Sequence, residues 1–379
     1  MLSWITASSG SLVRRGKSSV SLLAVVLLAF PSFLIAQTDS SATLIAQTDS
    51  STTPCVLINL ERPVPILTGS AGFFASGNGG ERKLVPIIMP VVLVPLGERW
   101  LVEARGEFKG EFEKPAGRSS FHGPVEKELD YAQIDFIANA KVTVTVGRFL
   151  TPFGIYNERL YPIWIRSLQS VPTIFPIGAG SSNGVMLRGG FSASPNANLN
   201  YAVYFSANST IHKLESDRLA GGRVGVFFPR QRVEIGASFK QLLQEGRYPS
   251  AGFHFAWQPA AAPLNLRSEI AWSREQGRGY WVEGAYRLSQ VSKWQKVMGH
   301  TEAVARVQQF FAGGITTTTA ADYGLPTVNA QELDLGGNYY FRDGFKATAS
   351  YGREFSSVGN FNRWTIGTAY RFAFPLGRP

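Results

Sequence analysis

From Phe361 to Phe372 the chain alternates: Asn362, Trp364, Ile366, Thr368, Tyr370 and Phe372 share one parity, while Arg363, Thr365, Gly367, Ala369 and Arg371 share the other. Successive side chains of a strand point to opposite faces, so this segment reads as a strand with an apolar, aromatic side and a small or cationic side. The pattern returns at Leu333, Leu335, Gly337, Tyr339 and Phe341, which alternate with Glu332, Asp334, Gly336, Asn338 and Tyr340. It returns again at Phe345, Ala347, Ala349 and Tyr351. No helical period separates these segments, and aromatic residues gather near their ends. Together these features predict an all-β chain forming an antiparallel transmembrane β-barrel.

Alternation and turn residues predict sixteen strands, near 65–76, 85–94, 99–110, 129–137, 141–149, 184–192, 198–207, 220–228, 232–241, 250–257, 264–273, 279–288, 299–311, 330–341, 345–354 and 361–372. An even count brings both ends of a barrel to the same side. The connections should then take turns between short and long, and they largely do. Asn139-Ala140, Pro229-Arg230-Gln231 and Arg342-Asp343-Gly344 are tight, whereas Glu111–Glu128, Leu150–Asn183, Asn208–Leu219 and Ala312–Asn329 are long. Ser289–Met298 and Arg274–Arg278 break the rule, the first too long for a turn and the second too short for an external loop.

Composition agrees with a barrel. The 379 residues include 39 glycines and 47 aromatic residues, and beyond the N-terminal region no apolar run approaches the length of a membrane-spanning helix. Residues 1–36 read as an export signal, with Arg14, Arg15 and Lys17 ahead of an apolar core at Val20–Phe30 and Ala36 as its last residue. LIAQTDS at 34–40 repeats at 44–50, so Ala46 offers a second cleavage point within a polar linker at 37–63. The barrel is expected over 64–374, with a short periplasmic tail at 375–379. The lone Cys55 excludes an intramolecular disulfide framework and a multi-cysteine metal site. Net charge is +10, and residues from Gln37 onward carry +7; these charges are scattered through strands and form no basic block of the nucleic-acid-binding kind.

Arginine on a lipid face costs about 2 to 4 kcal/mol at mid-membrane, which assigns the polar parity of each strand to the lumen. That places Arg105, Arg188, Arg223, Arg232, Arg267, Arg287, Arg306, Arg363 and Arg371 inside, with Lys109, Lys141, Lys240 and Lys346. Glu103, Glu107, Asp135, Glu234, Glu269, Glu283, Glu302, Glu332, Asp334 and Glu354 share that face, so thirteen cations meet ten carboxylates. The balance implies a water-filled, polarised lumen with a modest preference for anions. Each arginine also has a structural use, in pairing with a neighbouring acid to stiffen the wall.

The longest connection, Leu150–Asn183, would be the third external loop. It carries Tyr156, Glu158, Arg159, Tyr161, Trp164, Arg166 and Phe175, too many aromatic and apolar groups for a segment free in water, and is therefore expected to pack against the barrel. Gly147, then Pro152-Phe153-Gly154, Arg166-Ser167-Leu168 and the strand Gly184-Val185, Leu187, Gly189 resemble the phosphate- and polyphosphate-selective porin family over about fifty residues. The chain departs from that pattern at Ile165, where an acid commonly precedes the loop arginine, and in its Pro375–Pro379 end, where a terminal aromatic is usual.

The resemblance implies an outer-membrane pore for small hydrophilic or anionic solutes, surrounded by outer-membrane lipid, assembling as a homotrimer and using no cofactor. The third loop of such pores folds inward, making Tyr156, Glu158, Arg159 and Arg166 the candidate constriction and solute contacts. Two other classes compete. One is a lipid hydrolase built on Gly180-Ser181-Ser182-Asn183-Gly184, which matches Gly-x-Ser-x-Gly but leads into an alternating strand where that motif requires a helix. The other is a non-conducting barrel that binds partners with its loops. His122, His212, His254 and His300 are too dispersed to show metal-ligand spacing.

Overall fold

A computed structural model describes residues 64–377 apart from 79, 212–213, 245, 292, 315–323 and 342–343. The expected export signal, the linker and Cys55 lie outside the described residues, as does His212. In chain order the strands are β1 (Ile66–Asn78), β2 (Glu81–Leu96), β3 (Trp100–Gly110), β4 (Phe112–Lys114), β5 (Val125–Asn139), β6 (Val142–Leu150), β7 (Ser181–Ser194), β8 (Ala197–Ala207) and β9 (Leu219–Phe228). They continue as β10 (Val233–Leu242), β11 (Pro249–Trp257), β12 (Leu264–Ser273), β13 (Gly277–Arg287), β14 (Thr301–Ala312), β15 (Ala330–Tyr340), β16 (Phe345–Ser356) and β17 (Gly359–Pro375).

β3 and β4 both pair with β2 and are two pieces of one stave, interrupted at Glu111. Each stave hydrogen-bonds antiparallel to its neighbours, and β1 pairs with β17 from Ile66↔Pro375 to Asn78↔Arg363, so sixteen staves close on themselves. Closure satisfies the backbone without an edge, which is the condition for crossing a membrane with strands. The ladder also runs past the expected end at 374, since Leu376 N–H donates to Pro65 O at 2.7 Å.

Burial is inverted relative to a water-soluble protein. Ile134, Val203, Phe253, Ile270, Leu335 and Ile366 are exposed, while Asp135, Glu269, Glu283, Arg306, Gln308, Glu332 and Asp334 are buried. The exposed apolar parity is the outside of the ring, and the polar parity faces inward, as alternation required. Arg232 is the correction. It belongs to the turn between β9 and β10, with φ 53°, and not to the strand that alternation gave it. Lys141 likewise lies in the turn before β6.

Two places depart from simple alternation. β2 is apolar on both faces, and its prolines Pro86 and Pro90 stand opposite Phe73 and Gly69 of β1. A proline gives the ladder no donor, and the β2–β3 register accordingly skips from Ile88↔Phe108 to Val91↔Arg105. In β5, Arg105 pairs with Tyr131 and Gly106 with Leu129, leaving Asp130 as the extra residue of a bulge. The bulge turns Asp130 to the buried face, where its carboxylate accepts from Arg105 Nε at 2.6 Å.

Candidate functional site

Residues 151–180 join β6 to β7 and contain two short helical pieces, Tyr156–Leu160 and Phe175–Gly178. Proline and small residues break up the segment, so its backbone groups need partners outside regular structure. The two ends are tied first: Asn157 Nδ2 donates to the carbonyls of Thr151 and Gly180, both at 3.0 Å, and the hydroxyls of Thr151 and Ser182 share a 2.8 Å bond. Ser182 is fully buried in this pair and begins a strand, with no helix after it. That is the wrong setting for a hydrolase nucleophile, which must stand exposed on a strand-to-helix turn.

The first anchor is Glu269 on β12. Its carboxylate accepts from Ile155 N–H, from Tyr156 N–H at 3.0 Å and from the Trp281 indole of β13 at 3.0 Å. Gly154 sits at φ +63°, and a Cβ there would come within 2.0 Å of Glu269 Oε1, so only glycine allows this approach. Gly154 N–H also donates to Ser238 of β10 at 2.9 Å. Around this anchor Phe153, Ile155, Tyr156, Leu160, Ile174 and Ile177 pack with Ala271, Trp281 and Phe310. Tyr156 is 4% exposed, with its ring edge-on to Trp281 and Phe175. Its ring therefore supports the segment and has no face free for solute.

The middle of the segment reaches other staves. Ile163 packs with Phe74 of β1, Ile87 and Met89 of β2 and Ala369 of β17, which explains the apolar buried face of β2. Tyr161 OH donates to Glu107 of β3 at 3.1 Å. The ammonium of Lys346 on β16, wholly buried, donates to the carbonyls of Ile163, Trp164 and Arg166 at 3.3, 2.8 and 2.7 Å, using all three of its hydrogens. Arg267 of β12 donates to the Ser167 hydroxyl at 2.7 Å, and Asn338 of β15 to the Ser167 carbonyl at 2.9 Å. Arg306 of β14 holds the Ser170 carbonyl at 2.8 Å, and the Thr173 N–H donates to Gln308 at 2.9 Å.

The four loop residues expected at a constriction thus have separate fates. Glu158 is bonded to Arg223 of β9, which also donates to the Gly154 carbonyl at 3.0 Å. Arg166 lies over the Tyr161 ring at 4.5 Å and donates to the Tyr161 carbonyl, which folds the segment on itself. Arg159 pairs with Glu234 of β10 at 2.7 Å yet leaves 34% of its side chain exposed. Burial draws the Arg159 guanidinium down, but the hydrogen bond and charge of Glu234 outweigh it and the net direction is upward. It stays charged.

The wall arginines divide the same way. Arg105, Arg267 and Arg306 are nearly fully buried against Asp130, Glu283 and Asp334. Arg188, paired with Asp135, and Arg363, paired with Glu332 and Glu354, remain 37% and 38% exposed. Arg287 lies over the Tyr340 ring at 4.4 Å and Arg371 over the Trp164 ring at 5.5 Å. Period-two counting found these residues but could not separate wall braces from groups that still meet water. Asp130 escaped it altogether because the bulge changes its parity.

No family model matches the sequence, and no curated relative matches it. Solved structures do match the fold. The anion-selective porin from Comamonas acidovorans aligns with 82% of this chain and 99% of its own, at 11% identity and TM-score 0.51. Salmonella typhi OmpF, solved with daunomycin, aligns over 81% and 97% at 10% identity and TM-score 0.54. The outer membrane channel DcaP of Acinetobacter baumannii aligns over 81% and 97% at 10% identity and TM-score 0.51. The fold is that of the porins. At such identities the likeness is one of architecture, that of the closed ring of sixteen staves described above.

Proposed function

We propose that this chain forms a water-filled diffusion pore for small hydrophilic solutes in the bacterial outer membrane, and that it catalyses no reaction. The observation that carries the reading is the inversion of burial around a closed ring: apolar side chains outside, ion-paired polar side chains within. In this reading the 151–180 segment crosses the lumen and sets its width. Its bonds to the polar faces of β3, β9, β10, β12, β14, β15 and β16 support that role.

Arg159, Arg188 and Arg363 are the proposed solute contacts, because each keeps about a third or more of its side chain exposed while held by a carboxylate. Arg287 and Arg371, beside Tyr340 and Trp164, are the proposed source of a mild anion preference that extends to phosphate. A guanidinium offers the oxygens of a carboxylate or phosphate paired donors, while the carboxylates nearby keep the site from holding an anion tightly. Homotrimeric assembly belongs to the same proposal and rests on the porin architecture.

Purified, folded protein in planar lipid bilayers tests the reading. Stepwise conductance is expected, with a reversal potential in a salt gradient displaced toward anions. Folded protein that inserts without conducting overturns the pore.

A further inference from the structure

We propose that the rim of the barrel between β8 and β11 holds the phosphate of an anionic membrane lipid, with an acyl chain lying along β9 beneath it; this rests on the membrane placement proposed above. A notch of about 360 Å3 opens there, lined by Phe205, Arg218, Gln241, Leu242, Leu243 and Arg247. All six sit at the end of the ring that also bears the long connections 115–124, 151–180, 208–218 and 313–329.

The register explains the notch. Phe205 of β8 stands opposite Ala220 of β9, which stands opposite Gln241 of β10; one tier below, Val203 stands opposite Gly222, which stands opposite Phe239. Val203, Phe205 and Phe239 are all exposed on the apolar outside. Ala220 and Gly222 of β9 therefore floor a short furrow between two apolar ridges, which leads from the exposed Val224 up to the notch. A furrow of small residues would mean little alone. Here two guanidinium groups stand at its head.

Those groups are held in place. Arg218 donates through its guanidinium to the Leu243 carbonyl at 3.0 Å and through its backbone to Gln244 at 3.0 Å. The Asp217 carboxylate beside it accepts from Gln244 Nε2 at 2.9 Å. Gln241 Nε2 donates to the Arg247 carbonyl at 2.8 Å, fixing the turn on which Arg247 sits with φ 48°. Arg247 is exposed and forms no ion pair among the described residues. Two arginines above an apolar furrow match a phosphate attached to a hydrocarbon chain, since guanidinium binds phosphate in a paired geometry and the chain prefers the furrow to water.

The test is native mass spectrometry of the folded full chain in a neutral sugar detergent, titrated with phosphatidic acid, phosphatidylcholine or inorganic phosphate. Retention of phosphatidic acid above phosphatidylcholine is expected, falling about tenfold for each guanidinium removed in Arg218→Ala and Arg247→Ala, the scale of a charge-assisted hydrogen bond. Ala220→Leu, which fills the furrow and leaves both arginines, is expected to weaken retention too. Equal retention of the two lipids, full displacement by inorganic phosphate, or no change in Arg247→Ala and Ala220→Leu overturns the proposal. Conductance of the same preparation is read separately: a barrel that retains lipid but does not conduct keeps this inference and removes the pore.

Discussion

Arg306 and Asp334 face each other across adjacent staves, Nη2 to Oδ2 at 3.0 Å, with the arginine side chain wholly buried. The same guanidinium holds the Ser170 carbonyl and hydroxyl, so one side chain fastens two staves of the wall to the 151–180 segment. Removing one member of a buried pair strands the other, at a cost of about 3 to 5 kcal/mol. Arg306→Leu is expected to lower the urea midpoint of the folded barrel and to raise single-channel conductance. Asp334→Asn, which keeps an acceptor, is expected to do less of both. Unchanged conductance in Arg306→Leu would separate the brace from the pore.

Glu269 and Gly154 form a second fastening, and they can be broken from either side. Glu269→Leu leaves the N–H groups of Ile155 and Tyr156 without their acceptor, and Gly154→Ala drives a methyl into the carboxylate. Each is expected to cost about 1 to 3 kcal/mol and to increase current noise in bilayers. The alanine variant tests the geometry more sharply, because it changes no charge.

Arg159 and Arg188 are partly exposed, but their partners Glu234 and Asp135 are largely buried, so removing either arginine leaves a carboxylate without its cation. Arg159→Ala and Arg188→Ala are expected to lower the urea midpoint, though by less than Arg306→Leu, whose own side chain is wholly buried. The reversal potential should also move toward cations, because each removes a fixed positive charge from the proposed path. A lost midpoint with an unmoved potential would make them braces.

Tyr161 supplies a pH test. Burial pushes its phenol above the ordinary tyrosine value and the Glu107 carboxylate pushes it the same way; burial does likewise for Tyr156. A raised acid contributes stability that is complete below the unfolded value of about 10 and is lost as pH climbs through the higher folded value. Stability of the seated segment is therefore expected to fall above about pH 10. Tyr161→Phe should blunt that fall in urea titrations from neutral to strongly alkaline pH.

The staves were legible because lipid and water impose opposite demands on alternate residues, and that demand is local. The ends were less so: β5 starts at Val125 and not near 129, because Glu126 and Glu128 carry the polar look of a loop while still pairing with Lys109 and Glu107. β2 was hard to read since its inner residues answer to Ile163, about eighty positions away, and not to water. The same reason hid the fastenings. Lys346 was counted among inward cations, but nothing near it in the chain says that its three acceptors are carbonyls around residue 164. Tyr156 looked like a solute contact because an aromatic in a polar loop carries no mark of the core it joins.

The ties that fix the 151–180 segment have a consequence for the order of assembly. Lys346 and Trp164 are 182 residues apart, and Arg306 and Ser170 are 136 apart. When the first six staves exist, β1 to β7, the segment has been made but most of its acceptors and donors have not. It can be seated only after β12 to β17 arrive, the same staves whose last member closes the ring on β1. Closing the wall and seating the 151–180 segment thus draw on the same late staves.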